Sequence, residues 1–198
     1  MISIRRTTGA IILSMGLAGL LVGCGDSSDP ELLSQDAVAG VAETYDGDQI
    51  PAVGWCREVN TAQSRASTGS RPPAAGVEFR LDNGDYVHAI VMGPTSGKTI
   101  DDVRVELEDA VAKCAAKSKD GQTVEALPGL ADGLWGYSST ERGATGRQVF
   151  DVTPKGNILA VGVRHEGDGE PSVDALDLIE EAAKNADAFI ADADRGEE

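Results

Sequence analysis

Positively charged residues are scarce in this chain of 198 residues. Lys and Arg together number 17 against 33 Asp and Glu, which gives a formal net charge of −16 at pH 7. The phosphates of a nucleic acid would be repelled by such a surface, and so would the headgroups of an anionic membrane. We therefore predict no nucleic-acid partner and no broad electrostatic contact with lipid.

Histidine is rarer still, and its placement argues against a metal site. His88 and His165 are the only two, and neither belongs to a His-x-His or a His-Glu-x-x-His pattern. A Ser-His-Asp set could be assembled from Ser96 or Ser138 with either histidine, but the chain has no Gly-x-Ser-x-Gly motif to support it. We predict no catalytic residues, no metal and no other cofactor.

Aromatic residues make up only 4% of the chain, so Val, Leu, Ile and Ala must supply most of the core. Trp55, Trp135 and Tyr137 stand out against this composition. Each is expected either to anchor the core or, beside the loop over residues 127–136, to line a ligand-binding cleft. These three residues are therefore the candidate cleft-lining residues.

Cysteine occurs three times, and Cys24 follows a segment that is typical of an export signal. Arg5 and Arg6 precede an apolar run over residues 11–21, and small residues then lead into the cysteine. The run is too short, and too rich in Gly and Ser, for a comfortable transmembrane helix. The pattern resembles a bacterial lipobox, which implies cleavage before Cys24 and acylation of its sulfur. The alternatives are an ordinary secretory signal with an incidental cysteine, or an uncleaved anchor.

A lipobox divides the chain into four parts. Residues 1–23 are a signal peptide, residues 24–30 a lipidated tether, residues 31–192 a single domain and residues 193–198 an acidic tail. Setting aside the signal, which carries two arginines and no acid, changes the net charge from −16 to −18. Attachment to the outer face of the cell membrane would then depend on the acyl chains.

Cys56 and Cys114 form an even pair once Cys24 is assigned to lipid. Disulfides form and persist in the oxidising compartments outside the cytoplasm. We therefore predict a disulfide between Cys56 and Cys114, the alternative being two buried free thiols.

Hydrophobic periodicity and turn residues predict helices alternating with hairpins. A helix is expected over residues 31–39, and a surface loop over residues 61–75, which are rich in Ser, Thr, Arg, Gly and Pro. The other expected elements are strands over residues 77–81, 86–92, 122–127, 134–140, 147–152 and 157–163, a helix over residues 100–117 capped by Thr99, and a last helix capped by Ser172. Hairpins dominate, which favours the α+β class, with helices packed against a mostly antiparallel sheet.

Residues 93–99 read Gly-Pro-Thr-Ser-Gly-Lys-Thr between a predicted strand and a predicted helix, as a phosphate-binding loop would. Three residues separate the two glycines, whereas a phosphate-binding loop needs four for its N–H groups to surround the phosphate. We therefore predict a turn that ends in the N-cap Thr99, and no nucleotide partner.

The order of these elements resembles the PknH-like extracellular sensor domain, which occurs on actinobacterial Ser/Thr kinases and on many small lipoproteins. The resemblance spans roughly residues 31 to 190. It implies a noncatalytic α+β module with an antiparallel sheet and a cleft for an unknown ligand. The kinase-linked form has two disulfides, whereas only one can form here. The segments that carry the resemblance are Leu32-Leu33-Ser34, Trp55-Cys56, residues 87–92, the helix ending at Cys114, residues 127–132 and the hairpin around residues 156–159.

Together these features predict a membrane-anchored extracytoplasmic lipoprotein that binds a small molecule, an envelope component or a protein. An apolar cleft beside Trp135 would favour that function. A hydrogen-bonded Ser-His-acid set around His88 or His165 would favour the alternative of a lipid-anchored cell-envelope hydrolase. A filled, featureless surface would favour a structural or protein-interaction lipoprotein.

Overall fold

The computed structural model describes residues 30–53, 55–167 and 169–196. The predicted signal peptide, the predicted lipidation site Cys24 and all of the tether except Pro30 lie outside this range. Within the described residues, no helix is both long enough and apolar enough to span a bilayer.

One antiparallel sheet of seven strands forms the centre of the domain. The order across the sheet is β1-β2-β3-β7-β6-β5-β4, so β7 pairs with β3 and joins the two halves of the chain. Hairpins connect β2 to β3, β5 to β6 and β6 to β7. The strands are β1 (Val41–Gly47), β2 (Ala75–Leu81), β3 (Tyr86–Met92), β4 (Thr123–Ala126), β5 (Trp135–Glu141), β6 (Ala144–Val152) and β7 (Ile158–Glu166).

Helices cover both faces of the sheet and create two cores. The helices α1 (Arg57–Thr68) and α2 (Ile100–Ala115) pack on one face, against side chains such as Ile90 and Phe150. The helix α3 (Ala175–Gly196) packs on the other face, together with the N-terminal segment that carries Leu32 and Leu33. This arrangement confirms the predicted α+β class, with a mostly antiparallel sheet and helices packed against it.

The helix α2 forms where its periodicity predicted it. Thr99 caps it, because its hydroxyl accepts the N–H of Asp102 at 3.1 Å while the Asp102 carboxylate accepts the N–H of Thr99 at 2.8 Å. Its buried positions recur at spacings of three and four, as a helix packed on a sheet requires. They are Val103, Leu107, Ala110, Val111 and Cys114.

The loop predicted over residues 61–75 is wrong, because its first half belongs to α1. That helix buries a stripe of mostly small or polar side chains, which gives little hydrophobic signal: Val59, Ala62, Gln63, Ala66 and Ser67. Ser67 and Thr68 donate their hydroxyls to carbonyl oxygens one turn earlier, at 3.0 and 2.6 Å. Residues that usually favour turns are thereby accommodated within a helix.

The helix predicted over residues 31–39 is also wrong. Only the 3₁₀ turn Gln35–Ala37 forms there, and Ser34 caps it by accepting the N–H of Asp36 at 3.2 Å. Gly40 then adopts a φ of 78°, a conformation that favours glycine, and the chain continues into β1. The apolar residues that suggested a helix, Leu32 and Leu33 among them, instead pack into the core beneath α3.

The disulfide between Cys56 and Cys114 is confirmed. Their Cα atoms lie 5.9 Å apart, and the bond joins the start of α1 to the end of α2. The Cys56 sulfur also accepts the N–H of Val59 at 3.3 Å, so the same residue caps α1. Beside the bond, Glu58 forms an ion pair with Lys117.

The last helix begins three residues after the predicted cap. The Asp174 carboxylate accepts the N–H of Leu176 at 3.0 Å, at the position where a capping side chain is needed. The predicted cap, Ser172, instead bonds to Asp85, at the turn between β2 and β3. The helix continues to Gly196, beyond Asp192, where its apolar pattern ends.

Candidate functional site

An apolar groove of about 200 Å³ lies between α2 and the β4–β5 edge of the sheet. One wall consists of small and aliphatic side chains from α2, and the floor consists of aromatic side chains from β5 and β6. Such a concave apolar surface with a few polar groups is typical of small-molecule sites. Its lining residues are Leu107, Glu108, Val111, Ala112, Ala115, Ala126, Trp135, Gly136, Tyr137 and Phe150.

Trp135 is the largest side chain of this floor. It is 5% exposed and stacks on Phe150, with ring centroids 5.5 Å apart and an interplanar angle of 12°. The Arg104 guanidinium lies 5.7 Å from the centre of the Trp135 ring, and Glu108, one turn along the helix, accepts its Nε–H at 2.8 Å. The indole Nε1–H of Trp135 is buried and has no hydrogen-bond partner among the described residues.

Tyr137 lies on the same face of β5, because side chains two residues apart in a strand point to the same side. Its hydroxyl accepts a hydrogen bond of 2.5 Å from Nε2 of Gln63, on α1. Burial raises the pKa of Tyr137, and the bond from Gln63 offsets only part of that effect. The phenol therefore stays protonated at neutral pH. Its hydrogen bond with Gln63 links β5 to α1.

Trp55 does not line this groove. It is partly buried beside α1, where its indole N–H donates to the carbonyl of Thr140 at 3.3 Å. The structure therefore brings together two of the three candidate cleft-lining residues, Trp135 and Tyr137. The contribution of α2 to the groove was not predicted. Its sequence signal is the pair of alanines Ala112 and Ala115, which lie next to the buried stripe of the helix and are exposed.

His165 belongs to a hydrogen-bonded set with Asp85 and Ser172. Its Nδ1 lies 2.5 Å from Asp85 Oδ1, and the other carboxylate oxygen accepts the hydroxyl and the backbone N–H of Ser172 at 2.6 and 2.7 Å. In a catalytic triad the serine hydroxyl contacts the histidine, whereas here it donates to the aspartate. Although burial opposes ionisation, the bonds from Ser172, His165 and Asn83 lower the pKa of Asp85. The set ties the β2–β3 turn to the segment that leads into α3.

His88 is held in a different way, by an amide. It is 6% exposed, and its Nε2 lies 2.7 Å from Gln148 Oε1. Burial lowers its pKa to about 4, so the imidazole is neutral near pH 7 and donates its Nε2–H to Gln148. Neither Ser96 nor Ser138 forms a hydrogen bond with a histidine in the described part of the chain.

The backbone of residues 93–99 is turned toward the segment that follows α1. Gly93 N–H donates to the carbonyl of Pro72 at 3.1 Å, and Ser96 N–H donates to that of Gly69 at 3.0 Å. A side chain at Gly93 would overlap the carbonyl of Arg71, which explains why glycine is needed there. The N–H groups of Gly93 and Ser96 are therefore already hydrogen-bonded to backbone carbonyls of the protein.

Potential metal ligands come together at one place among the described residues, namely Cys56, Glu58 and Cys114. The two sulfurs are joined as a disulfide, so neither is a thiolate that could bind a metal. The Glu58 carboxylate is paired with Lys117, whose hydrogen bond lowers its pKa. The three residues come together because the disulfide links α1 to α2 at this place.

Comparisons with protein-family models, with curated proteins and with solved structures found no match to this chain.

Proposed function

We propose that this protein is a membrane-anchored extracytoplasmic lipoprotein, and that its domain is a noncatalytic ligand-binding module of the PknH-like sensor type. The observation that carries the proposal is the apolar groove floored by Trp135. A cleft at this tryptophan is the feature that distinguishes a binding module from a structural protein with a filled surface.

The size and chemistry of the groove limit its ligand. At about 200 Å³ it is smaller than the pockets that enclose a drug-sized molecule, so it accommodates a single ring or a short acyl chain. The unpaired indole N–H of Trp135 would be satisfied by an acceptor oxygen on that ligand. We therefore expect a small, mainly apolar molecule, or the apolar end of a larger one, that carries a carbonyl or ether oxygen.

Hydrolase activity is less well supported by the contacts of the described residues. Among the described residues, the one serine that shares a hydrogen-bonded set with a histidine is Ser172, and its hydroxyl donates to Asp85. A serine nucleophile needs its proton to be accepted by a base such as His165. We therefore propose a structural role for the set, in which Asp85 holds the segment leading into α3.

A phenyl ring placed in the groove should weaken binding of an apolar probe. We expect the chain from residue 30 onward, which contains both cores, to bind the phenyl ring of the neutral dye N-phenyl-1-naphthylamine, with an increase in dye emission. Ala112→Phe fills the groove from its α2 wall and should weaken dye binding roughly tenfold or more. Val105→Phe is the matched control, because Val105 is 55% exposed on the same helix and does not line the groove.

Two outcomes would contradict this assignment. One is dye binding that is equally strong in wild type, Ala112→Phe and Val105→Phe, which would place the dye elsewhere. The other is turnover of p-nitrophenyl acetate that disappears in Ser172→Ala, which would favour the hydrolase.

The lipid anchor is tested at Cys24. In a bacterial host that processes lipoproteins, we expect the wild-type chain in the membrane fraction with an acyl-modified mass beginning at Cys24. Cys24→Ala removes the sulfur that would carry the diacylglycerol, so it should lose the acyl mass and most of the membrane association. Ser28→Ala, in the same tether, is the control and should behave as wild type. Membrane retention of Cys24→Ala with an unchanged mass would show that another segment anchors the chain.

A further inference from the structure

A second depression lies on the α1–α2 face of the sheet, where the helices no longer cover it. It has a volume of about 50 Å³, and residues 51–53 form part of its lining. Two rows of paired residues cross β5, β6, β7 and β3 at the depression, and all of them except Gly162 and Tyr86 line it. One row is Tyr137, Gln148, Gly162 and His88, and the next is Ser139, Gly146, Arg164 and Tyr86.

Two glycines shape this depression. Gly162 lies between His88 and Gln148, and a side chain there would overlap both of them, so its absence allows their hydrogen bond to form across β7. Gly146 lies between Ser139 and Arg164, and its missing side chain leaves the space that the depression occupies. A Cβ at Gly146 would lie 3.3 Å from Ser139 Oγ and would narrow that space.

Two residues that line the depression carry unpaired hydrogen-bond donors. Gln148 is 4% exposed and uses its Oε1 for His88, which leaves its Nε2 buried without a partner among the described residues. Arg164 has a buried Nε that also lacks a partner there, while its Nη2 lies 3.8 Å from Glu166. Buried donors are almost always satisfied, so two of them on residues that line one cavity indicate a ligand acceptor.

We propose that this depression binds the carboxylate group of a small monoanionic ligand, with Arg164 Nε–H and Gln148 Nε2–H as its donors. Arg164 is the cross-strand neighbour of Gly146, at about 5 Å, and Gln148 lies two residues along β6 on the same face. A carboxylate above Gly146 therefore lies between these two side chains. Guanidinium and amide donors suit the two oxygens of a carboxylate. Glu141 lines the depression and Glu166 borders Arg164, so a dianion such as sulfate is disfavoured.

This site is distinct from the apolar groove, and the inference does not rest on the function proposed for that groove. The buried Tyr137 ring borders both of them, and its hydroxyl is held by Gln63 from α1. Ala112→Phe, which fills the groove, should leave carboxylate binding unchanged. Failure of one site is therefore distinguishable from failure of the other.

The test follows side-chain resonances of the full ¹⁵N-labelled chain in detergent. Sodium acetate and sodium propionate should shift the Arg164 Nε–H and Gln148 Nε2–H₂ signals to saturation, whereas sodium chloride at equal ionic strength should not. Arg164→Gln, which removes the charge, and Gly146→Ala, which narrows the depression, should each weaken binding roughly tenfold. Arg195→Gln, at an exposed arginine of α3 on the opposite face of the sheet, is the matched control and should bind acetate as wild type does.

Three results would overturn the proposal. The first is an equal response to chloride and acetate, and the second is saturation by methylammonium instead of acetate. The third is unchanged acetate binding in Arg164→Gln when the backbone spectrum shows that this variant is folded. Should Gly146→Ala fail to fold, Arg164→Gln alone decides the matter.

Discussion

Reduction of the disulfide between Cys56 and Cys114 should lower the free energy of unfolding by about 4 kcal/mol. The two cysteines are 58 positions apart, and in the chain-entropy model a loop of that length restricts the unfolded chain by this amount. A domain of this size is usually stable by only about 5–15 kcal/mol in total, so the change is a large fraction of the whole. We therefore expect this to be the largest single effect of any treatment considered for this molecule.

The position of the bond explains which part of the fold depends on it. It links the start of α1 to the end of α2, and those two helices make up the helical layer on one face of the sheet. The Cys56 sulfur also accepts the N–H of Val59, so its replacement removes a cap as well as a cross-link. We expect α1 to lose hydrogen-exchange protection before α3, which packs on the opposite face.

Urea unfolding of the oxidised protein, the reduced protein and the Cys56→Ser/Cys114→Ser double variant measures the effect. The midpoint should fall in both altered forms, and reductant should have no further effect on the double variant. Alkylation of Cys56 and Cys114 without reductant would contradict the premise. An unchanged midpoint after complete reduction would show that the cross-link contributes little.

Local signals were sufficient to predict some elements before the structure was known. Thr99 and the stripe over α2 identify that helix, and Asn83-Gly84 identifies the β2–β3 hairpin, because these patterns depend only on neighbours along the chain. The helix α1 was missed because its buried side is made largely of Ala, Gln and Ser, whose burial is decided by the disulfide and by α2. The strand β1 gave no alternating pattern, because residues 42–46 are all exposed.

The same distinction applies to the candidate sites. Trp135 and Tyr137 could be placed on one face of a strand from their spacing alone. The wall that Ala112 adds depends on how α2 crosses β5, which the sequence does not specify. The row that joins His88 to Gln148 depends on the pairing of β7 with both β3 and β6, a long-range register. Likewise, Asp85 and Ser172 are 87 positions apart, and only the fold brings them together.

Lowering the pH from 7 to 4 should destabilise the protein by about 3 kcal/mol through His88 alone, since each unit of pKa difference corresponds to about 1.4 kcal/mol. Burial lowers the pKa of His88 in the folded protein from 6.5 to about 4. Between these values the unfolded chain binds a proton at His88 and the folded chain does not. The contribution is therefore fully present above about pH 6.5 and is lost as the pH falls toward 4.

The contacts of His88 explain why the folded protein resists its protonation. Its Nε2–H already donates to Gln148, which carries no charge. The neighbour of His88 on β2 is Glu78, but its carboxylate makes no ion pair with the imidazole. No carboxylate among the described residues forms an ion pair with it, in contrast to His165, which contacts Asp85. A charged imidazole at position 88 would therefore be desolvated without an ion-pair partner, which is the unfavourable case for a buried cation.

The variant His88→Gln isolates this contribution, because glutamine keeps a donor for Gln148 and does not titrate. Unfolding free energies of wild type and variant should be measured by urea at pH 7, 6, 5 and 4.5. The difference between them should shrink steadily as the pH falls, since carboxylates such as Asp85 titrate alike in both proteins. The His88 Cε1–H resonance should titrate near pH 4, below the value of a solvated histidine. Parallel pH profiles for the two proteins, or a titration midpoint near 6.5, would mean that His88 is open to solvent and that the hydrogen-bonded row it forms with Gln148 does not persist in solution.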